Sequence, residues 1–275
     1  MKNSLLRVLA GLFVVSFLTA TLAAGAQARF ARGQDVSPTY DGWDRNADGS
    51  YTLHFGYFNR NTEEEFDVPV GPDNRFDLEN GDQGQPTHFY AGRRWWVFNV
   101  VVPKDWPKDK RAIWTLTTNG ITNQAKGWLQ PEWEVDKGVI SQNSGRDPFL
   151  MIAGGEDTDV DTDNLPPSMT GSPAQTIKLG QTVTLTVTAT DDGLPKPLPD
   201  PTGRRQQGVR IRWIVYRAPG QVRFDPDIMT NRVYGKPSTF DAKVTFSRPG
   251  PYRLRAIASD GQLFSTYDVD ITVLP

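Results

Sequence analysis

The sequence predicts an all-β protein built from two β-sandwich domains, and three observations carry that prediction. Alternating segments recur along the 275 residues, as in 182–190, where Val183, Leu185, Val187 and Ala189 alternate with threonines. Side chains repeating with period two share one face of a strand. Turn-forming pairs punctuate these segments, above all Asn119-Gly120, Pro249-Gly250 and Asp260-Gly261, which supply the backbone conformations of tight turns. Finally, no long stretch shows helical spacing, and an acidic run closed by Pro166-Pro167 divides the alternating segments into two groups.

The first 28 residues stand apart from the fold. Lys2 and Arg7 form a basic start, 8–18 is an apolar run, and Ala26-Gln27-Ala28 places small residues before a cut after Ala28. This pattern resembles a secretory signal peptide. The apolar run falls short of the ~20 residues of a spanning helix, so no membrane insertion is expected after cleavage. The chain has no cysteine, which excludes both disulfides and a lipid anchor on a lipobox cysteine. Domains of ~110 residues bury enough surface to fold without disulfides, and export without them fits a secreted or periplasmic bacterial protein. Loss of Lys2 and Arg7 moves the net charge from −2 to about −4. That weak negative balance argues against nucleic acid or an anionic membrane as the main partner.

The N-terminal domain is expected over 29–153. Its strand candidates are 39–43, 50–58, 66–70, 94–102 and 111–118, then 121–129 across the Asn119-Gly120 turn, and a short last strand at 133–135. Gly56 inside a strand predicts a bulge or a close backbone approach. The Gly-, Pro-, Asp- and Asn-rich 70–86 predicts a long surface loop. Three phrases, Phe55-Gly56-Tyr57-Phe58-Asn59-Arg60-Asn61, Val70-Gly71-Pro72 and Gly84-Gln85-Pro86-Thr87-His88-Phe89, resemble a group of secreted bacterial proteins of unknown function. That group pairs such a domain with an immunoglobulin-like one. The resemblance implies a context and no activity.

Seven of the eight tryptophans lie in this half. Most are expected in the core. Trp95 and Trp96 are adjacent, however, so in a strand they point to opposite faces, and the outward member of the pair is a candidate glycan-stacking surface. Asp44-Arg45-Asn46-Ala47-Asp48-Gly49 matches the first half of an EF-hand calcium loop. Phe55 stands where the bidentate Glu belongs, which favours a polar turn. His54 and His88 are the only histidines, and no nucleophile elbow, zinc-binding helix or phosphate loop accompanies them. A triad or zinc centre needs more, and Glu63-Glu64-Glu65 with Asp67 reads as a solvated run. The reading is therefore non-enzymatic.

An acidic linker is expected over 154–164, ahead of Pro166-Pro167. Asp159, Asp161 and Asp163 within it resemble the calcium-binding joints of cadherin-like repeats. That resemblance implies Ca²⁺ as a candidate ligand, against an ordinary self-repelling linker.

The C-terminal domain is expected over 165–275, with strands at 176–179, 182–190, 209–215, 240–246, 252–258 and 267–273. Gly250-Pro251-Tyr252-Arg253-Leu254 resembles the tyrosine corner of immunoglobulin-like sandwiches, and Trp213 occupies the place of their core tryptophan. Along nearly all its length this half resembles bacterial immunoglobulin-like and PKD-type modules, which act mostly as spacers and contact surfaces. Arg210, Arg212, Arg253 and Arg255 fall on one outer face. Asp268 and Asp270 on the last strand are placed to neutralise part of it; otherwise the basic face docks an acidic surface on the other domain or another chain. The whole predicts a secreted, non-enzymatic binding or scaffold protein of the bacterial envelope or exterior, contacting protein or glycan. A carbohydrate-binding module or component of a carbohydrate-active enzyme, and a calcium-stiffened adhesin-like stalk, are the alternatives.

Overall fold

The computed structural model describes residues 30–150, 162–196, 208–230 and 235–275. The leader, Asp159 and Asp161 lie outside them. Among the described residues the chain is all-β apart from one short helix and a 3-10 turn.

Strands β1 (Val36–Arg45), β2 (Tyr51–Asn59), β3 (Phe66–Asp67), β4 (Asn74–Phe76), β5 (His88–Phe89), β6 (Gly92–Val102), β7 (Ala112–Thr118) and β8 (Ile121–Gly127) make the N-terminal half. They pair as β1-β2-β6, β4-β7-β8 and β3-β5. The Asn119-Gly120 hairpin holds β7 against β8, from Thr118 opposite Ile121 onward. Both turn residues have positive φ, 49° and 75°, as this hairpin type requires. Between the two larger sheets, Phe55, Phe76, Phe98 and Trp114 interlock edge-to-face and stacked, with Phe98 and Trp114 centroids 4.9 Å apart. Such ring geometries add to the burial energy of the core.

Segment 70–86 is largely the surface loop its composition predicts, but two stretches of it turn inward. It contains β4, and Asn74 and Gln85 are fully buried. The Asn74 amide donates to the carbonyls of Val68 (3.0 Å) and Pro86 (2.8 Å) and accepts from the Trp114 indole (2.9 Å). Polar residues that read as solvated here satisfy backbone groups inside the fold instead. The strand predicted at 133–135 is also corrected. A 3-10 turn (Pro131–Trp133) and a single bridge from Trp43 to Glu134 lead to helix α1 (Lys137–Ser144), N-capped by the Asp136 side chain on the Val139 N–H at 2.9 Å. With only Val139 and Ile140 as large apolar residues, α1 has no apolar stripe to betray it.

The C-terminal half comprises β9 (Ser168–Gly171), β10 (Gln175–Lys178), β11 (Val183–Thr190), β12 (Arg210–Arg217), β13 (Val222–Asp225), β14 (Ile228–Thr230), β15 (Ser238–Phe246), β16 (Gly250–Ser259) and β17 (Phe264–Leu274). Two sheets, β10-β17-β16-β12-β14 and β13-β15-β11-β9, face each other across one core that holds Leu185, Trp213, Phe240, Leu254 and Ile271. This is an immunoglobulin-like sandwich. The Tyr252 hydroxyl donates to the Arg248 carbonyl at 2.7 Å, completing the tyrosine corner. Strands β9, β13 and β14 are additions to the sequence reading, each too short to show alternation.

Candidate functional site

The site grows out of an irregularity in β6. Register with β2 holds from Tyr51–Val102 to Phe55–Phe98, then resumes at Tyr57–Arg94, leaving Trp95, Trp96 and Val97 opposite Gly56 alone. Trp96 has φ 55°, a left-handed conformation disfavoured for a side chain of this size. Two buried carboxylates hold the bulge. Asp41 accepts the Trp96 N–H at 3.0 Å and pairs with Arg93 at 2.5 Å. Asp147 accepts the Trp95 N–H at 3.0 Å and lies 3.4 Å from Arg94. Burial raises the pKa of both carboxyls, and the adjacent guanidiniums oppose the rise. Gly56 is obligatory, because a Cβ there would overlap the Arg94 carbonyl and the Asp41 carboxylate. The close approach predicted for Gly56 is this one.

The bulge overturns the strict alternation expected at the tryptophan pair. Trp96 is buried and Trp95 half-buried beneath the Arg93 guanidinium, 3.7 Å from the ring centroid. Trp96 forms an apolar cluster with Leu150 and Ile257, joined by Trp95, Phe149, Ile214 and Phe264. Both rings therefore lie in a seam between the two halves, and neither stands out in solvent. The exposed indole of this half is Trp133, stacked on Tyr40.

The arginine face lies along the same seam. Arg253 pairs with Asp270 through two bonds of 2.7 and 2.9 Å, and Arg255 pairs with Asp268 in the same way. Arg255 also donates to the Val97 carbonyl (2.5 Å) and covers the Tyr216 ring at 3.6 Å. Arg212 lies 4.8 Å from the Phe149 ring, where burial and then the charge of Arg210 lower its pKa. Arg210 is half-buried on the same strand, opposite Thr230. The covering surface is thus made of ring faces and a carbonyl, not the acidic patch that charge alone suggests.

Sequence reasoning missed Tyr216. A register shift between Val215 and Arg217 turns this residue out of its own sandwich and into the core of the other half. Its hydroxyl donates to the Gly84 carbonyl (2.5 Å), and its carbonyl accepts from Thr87 N–H (3.1 Å). Arg217 grips Asp82 at 2.7 and 2.9 Å and the Gln85 carbonyl, while Tyr90 Oη accepts the Val215 N–H at 2.8 Å. The available signal was an outward aromatic between two strand arginines.

Beside this seam opens a cleft of about 520 Å³ lined by both halves. Trp96, Phe98 and Asn99 contribute from β6, and Arg253, Phe264 and Thr266 from β16 and β17. At its inner edge, His54 Nδ1 lies 2.8 Å from the Asn99 side-chain oxygen. The Trp96 indole N–H has no hydrogen-bond partner.

His88 lines a second space of only about 40 Å³, close to the room for a single water. Its Nδ1 meets Asp67 at 2.8 Å and its Nε2 meets Glu65 at 3.2 Å. Burial pulls the imidazole pKa down, but the two carboxylates prevail and raise it to about 9. A charged imidazole with both nitrogens engaged is an ion-pair centre and offers no lone pair to a proton. In the Asp44–Asp48 loop, Asp48 accepts from Ser50 N–H (2.9 Å) and Oγ (2.6 Å), and Asn46 bonds Ser50 and Thr52. No group of three or more His, Cys, Asp or Glu among the described residues is arranged to hold a metal.

No family model matches this sequence, and no curated protein matches it. Among solved structures, a conjugative transposon lipoprotein from Bacteroides eggerthii is similar over 38% of this chain and 96% of its own, at 14% identity and TM-score 0.27. Domains 4 and 5 of the S-layer protein SbsC are similar over 60% of this chain and 66% of theirs, at 9% identity and TM-score 0.28. A chimeric titin Z1Z2 matches 88% of this chain and 99% of its own, at 11% identity and TM-score 0.24. Scores this low carry no functional argument, which rests on the residues above.

Proposed function

We propose that this chain is an exported, non-enzymatic binding protein of the bacterial envelope or exterior, and that its ligand occupies the cleft between the halves. Export rests on the leader pattern at 1–28. Among the described residues no helix is long and apolar enough to cross a membrane. The resemblance of 165–275 to PKD-type contact modules supports the same outline.

The pairing of charges along one wall of the cleft carries the reading. Arg253 and Arg255 are each neutralised by a bidentate carboxylate, so this wall presents oriented donors and acceptors with little net charge. Beside it, Trp96 and Phe264 supply apolar ring surface. Oriented polar groups next to aromatic surface suit a neutral, hydroxyl-rich ligand, and a glycan is the class we assign.

A glycan array probed with the full chain tests this, alongside Thr266→Trp, which fills the cleft from an exposed strand position. The wild type binds a defined oligosaccharide set, and the variant loses it while keeping its unfolding midpoint. A wild type that binds nothing overturns the glycan assignment, and a variant that binds normally moves the site out of the cleft.

A further inference from the structure

We propose that Asn164, Asp191 and Asp260 form a calcium site at one end of the C-terminal sandwich, where the chain enters it from the N-terminal half. The three come from separate elements: the entering segment, the end of β11 and the turn between β16 and β17. Asn164 and Asp260 are 0% and 3% exposed.

Each side chain anchors one end of its headgroup and leaves the other oxygen bare. Asn164 Nδ2 donates to Gln262 Oε1 at 3.1 Å, and Asn164 Oδ1 has no partner. Asp191 Oδ2 accepts the Gly193 N–H at 3.0 Å, and its Oδ1 has no partner. Asp260 Oδ1 accepts the N–H groups of Gln262 (2.6 Å) and Leu263 (2.7 Å), and its Oδ2 has no partner. Buried acceptors without donors are costly and rare, and here three occur as neighbours. Gln262 links Asn164 to Asp260, accepting from the first with its side chain and donating its N–H to the second, and the Asp192 bond to the Leu165 N–H brings the Asp191 loop beside Asn164. Three buried oxygens are thus gathered with no donor assigned to any of them.

Two carboxylate oxygens and an amide oxygen, without sulfur or imidazole, make a hard ligand set that suits Ca²⁺ rather than zinc. The neighbouring loop is already fixed. Asp192 accepts the Leu165 N–H at 2.9 Å, and Lys137 of α1 donates to the Asn164 carbonyl at 2.8 Å. An ion bound here would lock the joint between the halves. The inference is independent of what the cleft binds, and it places calcium on residues other than Asp159, Asp161 and Asp163.

The test is calorimetric titration of CaCl₂ into the chelator-treated full chain, with thermal unfolding at zero and millimolar calcium. Binding with a dissociation constant of about 10⁻⁴ M or tighter is expected, with a rise in Tm of about 5 °C or more. Asp260→Asn keeps an acceptor for the Gln262 and Leu263 N–H groups but removes a carboxylate ligand, so it should fold like the calcium-free wild type, yet lose the calcium response. An Asp159→Asn/Asp161→Asn variant should keep it. The proposal is overturned by a wild type that shows neither heat nor Tm shift, as when water alone satisfies these oxygens. It is equally overturned if Asp260→Asn responds normally or the linker variant loses the response.

Discussion

The Asp41 carboxylate accepts the backbone N–H of Trp96 at 3.0 Å and pairs with Arg93 on its other oxygen, so one buried side chain fixes both the left-handed residue and the bulge around it. That bulge sends the two indoles into the seam.

Removing the clamp should be costly. Asp41→Ala leaves the Arg93 guanidinium and the Trp96 N–H without their partner, and a loss of about 3–5 kcal/mol is expected in urea unfolding. Asp41→Asn keeps an acceptor for the Trp96 N–H and should cost less. Equal losses in the two variants would mean that Asp41 does not act through that bond.

The sandwich core makes a second prediction. Trp213 is 3% exposed and stacks on Phe224 with centroids 6.3 Å apart. Trp213→Ala should cost about 3–5 kcal/mol. A loss under about 1 kcal/mol is incompatible with a core aromatic.

Stability should fall at alkaline pH through His88. Its folded pKa of about 9 lies above the ordinary value of 6.5, so the stabilisation is fully present below about pH 6.5 and disappears as pH rises through 9. Glu65 and Asp67 are partly solvated, so the contribution is about 1–2 kcal/mol. His88→Asn should flatten that pH window. An unchanged pH profile in the variant would show that the ion pairs contribute nothing.

The strands were legible because their facing is set by alternation alone. Residues 182–190 and 267–273 follow alternation throughout and 252–258 follow it until Ile257, which is buried in the seam; β16 and β17 contain the latter two segments, and β11 begins at Val183. The Arg253–Asp270 and Arg255–Asp268 ladder was readable for the same reason, and the tyrosine corner from the order Gly250-Pro251-Tyr252. The seam was not. Trp96 and Tyr216 sit at register shifts, where one extra residue reverses the facing that alternation predicts. Asn74 and Gln85 look like loop residues because their value lies in satisfying distant carbonyls, which composition does not reveal. The oxygens of Asn164, Asp191 and Asp260 meet only after the sheets have formed.

The central claim is that the two sandwiches hold each other through Tyr216, Arg217 and Arg255, and that the cleft exists because they do. Seven of the eight tryptophans lie in the N-terminal half, so their fluorescence reports that half, while far-UV circular dichroism reports the strands of both. Urea unfolding of the full chain followed by both signals should give a single coincident transition. Two separated transitions, with fluorescence and dichroism diverging, would show independent domains and contradict the account.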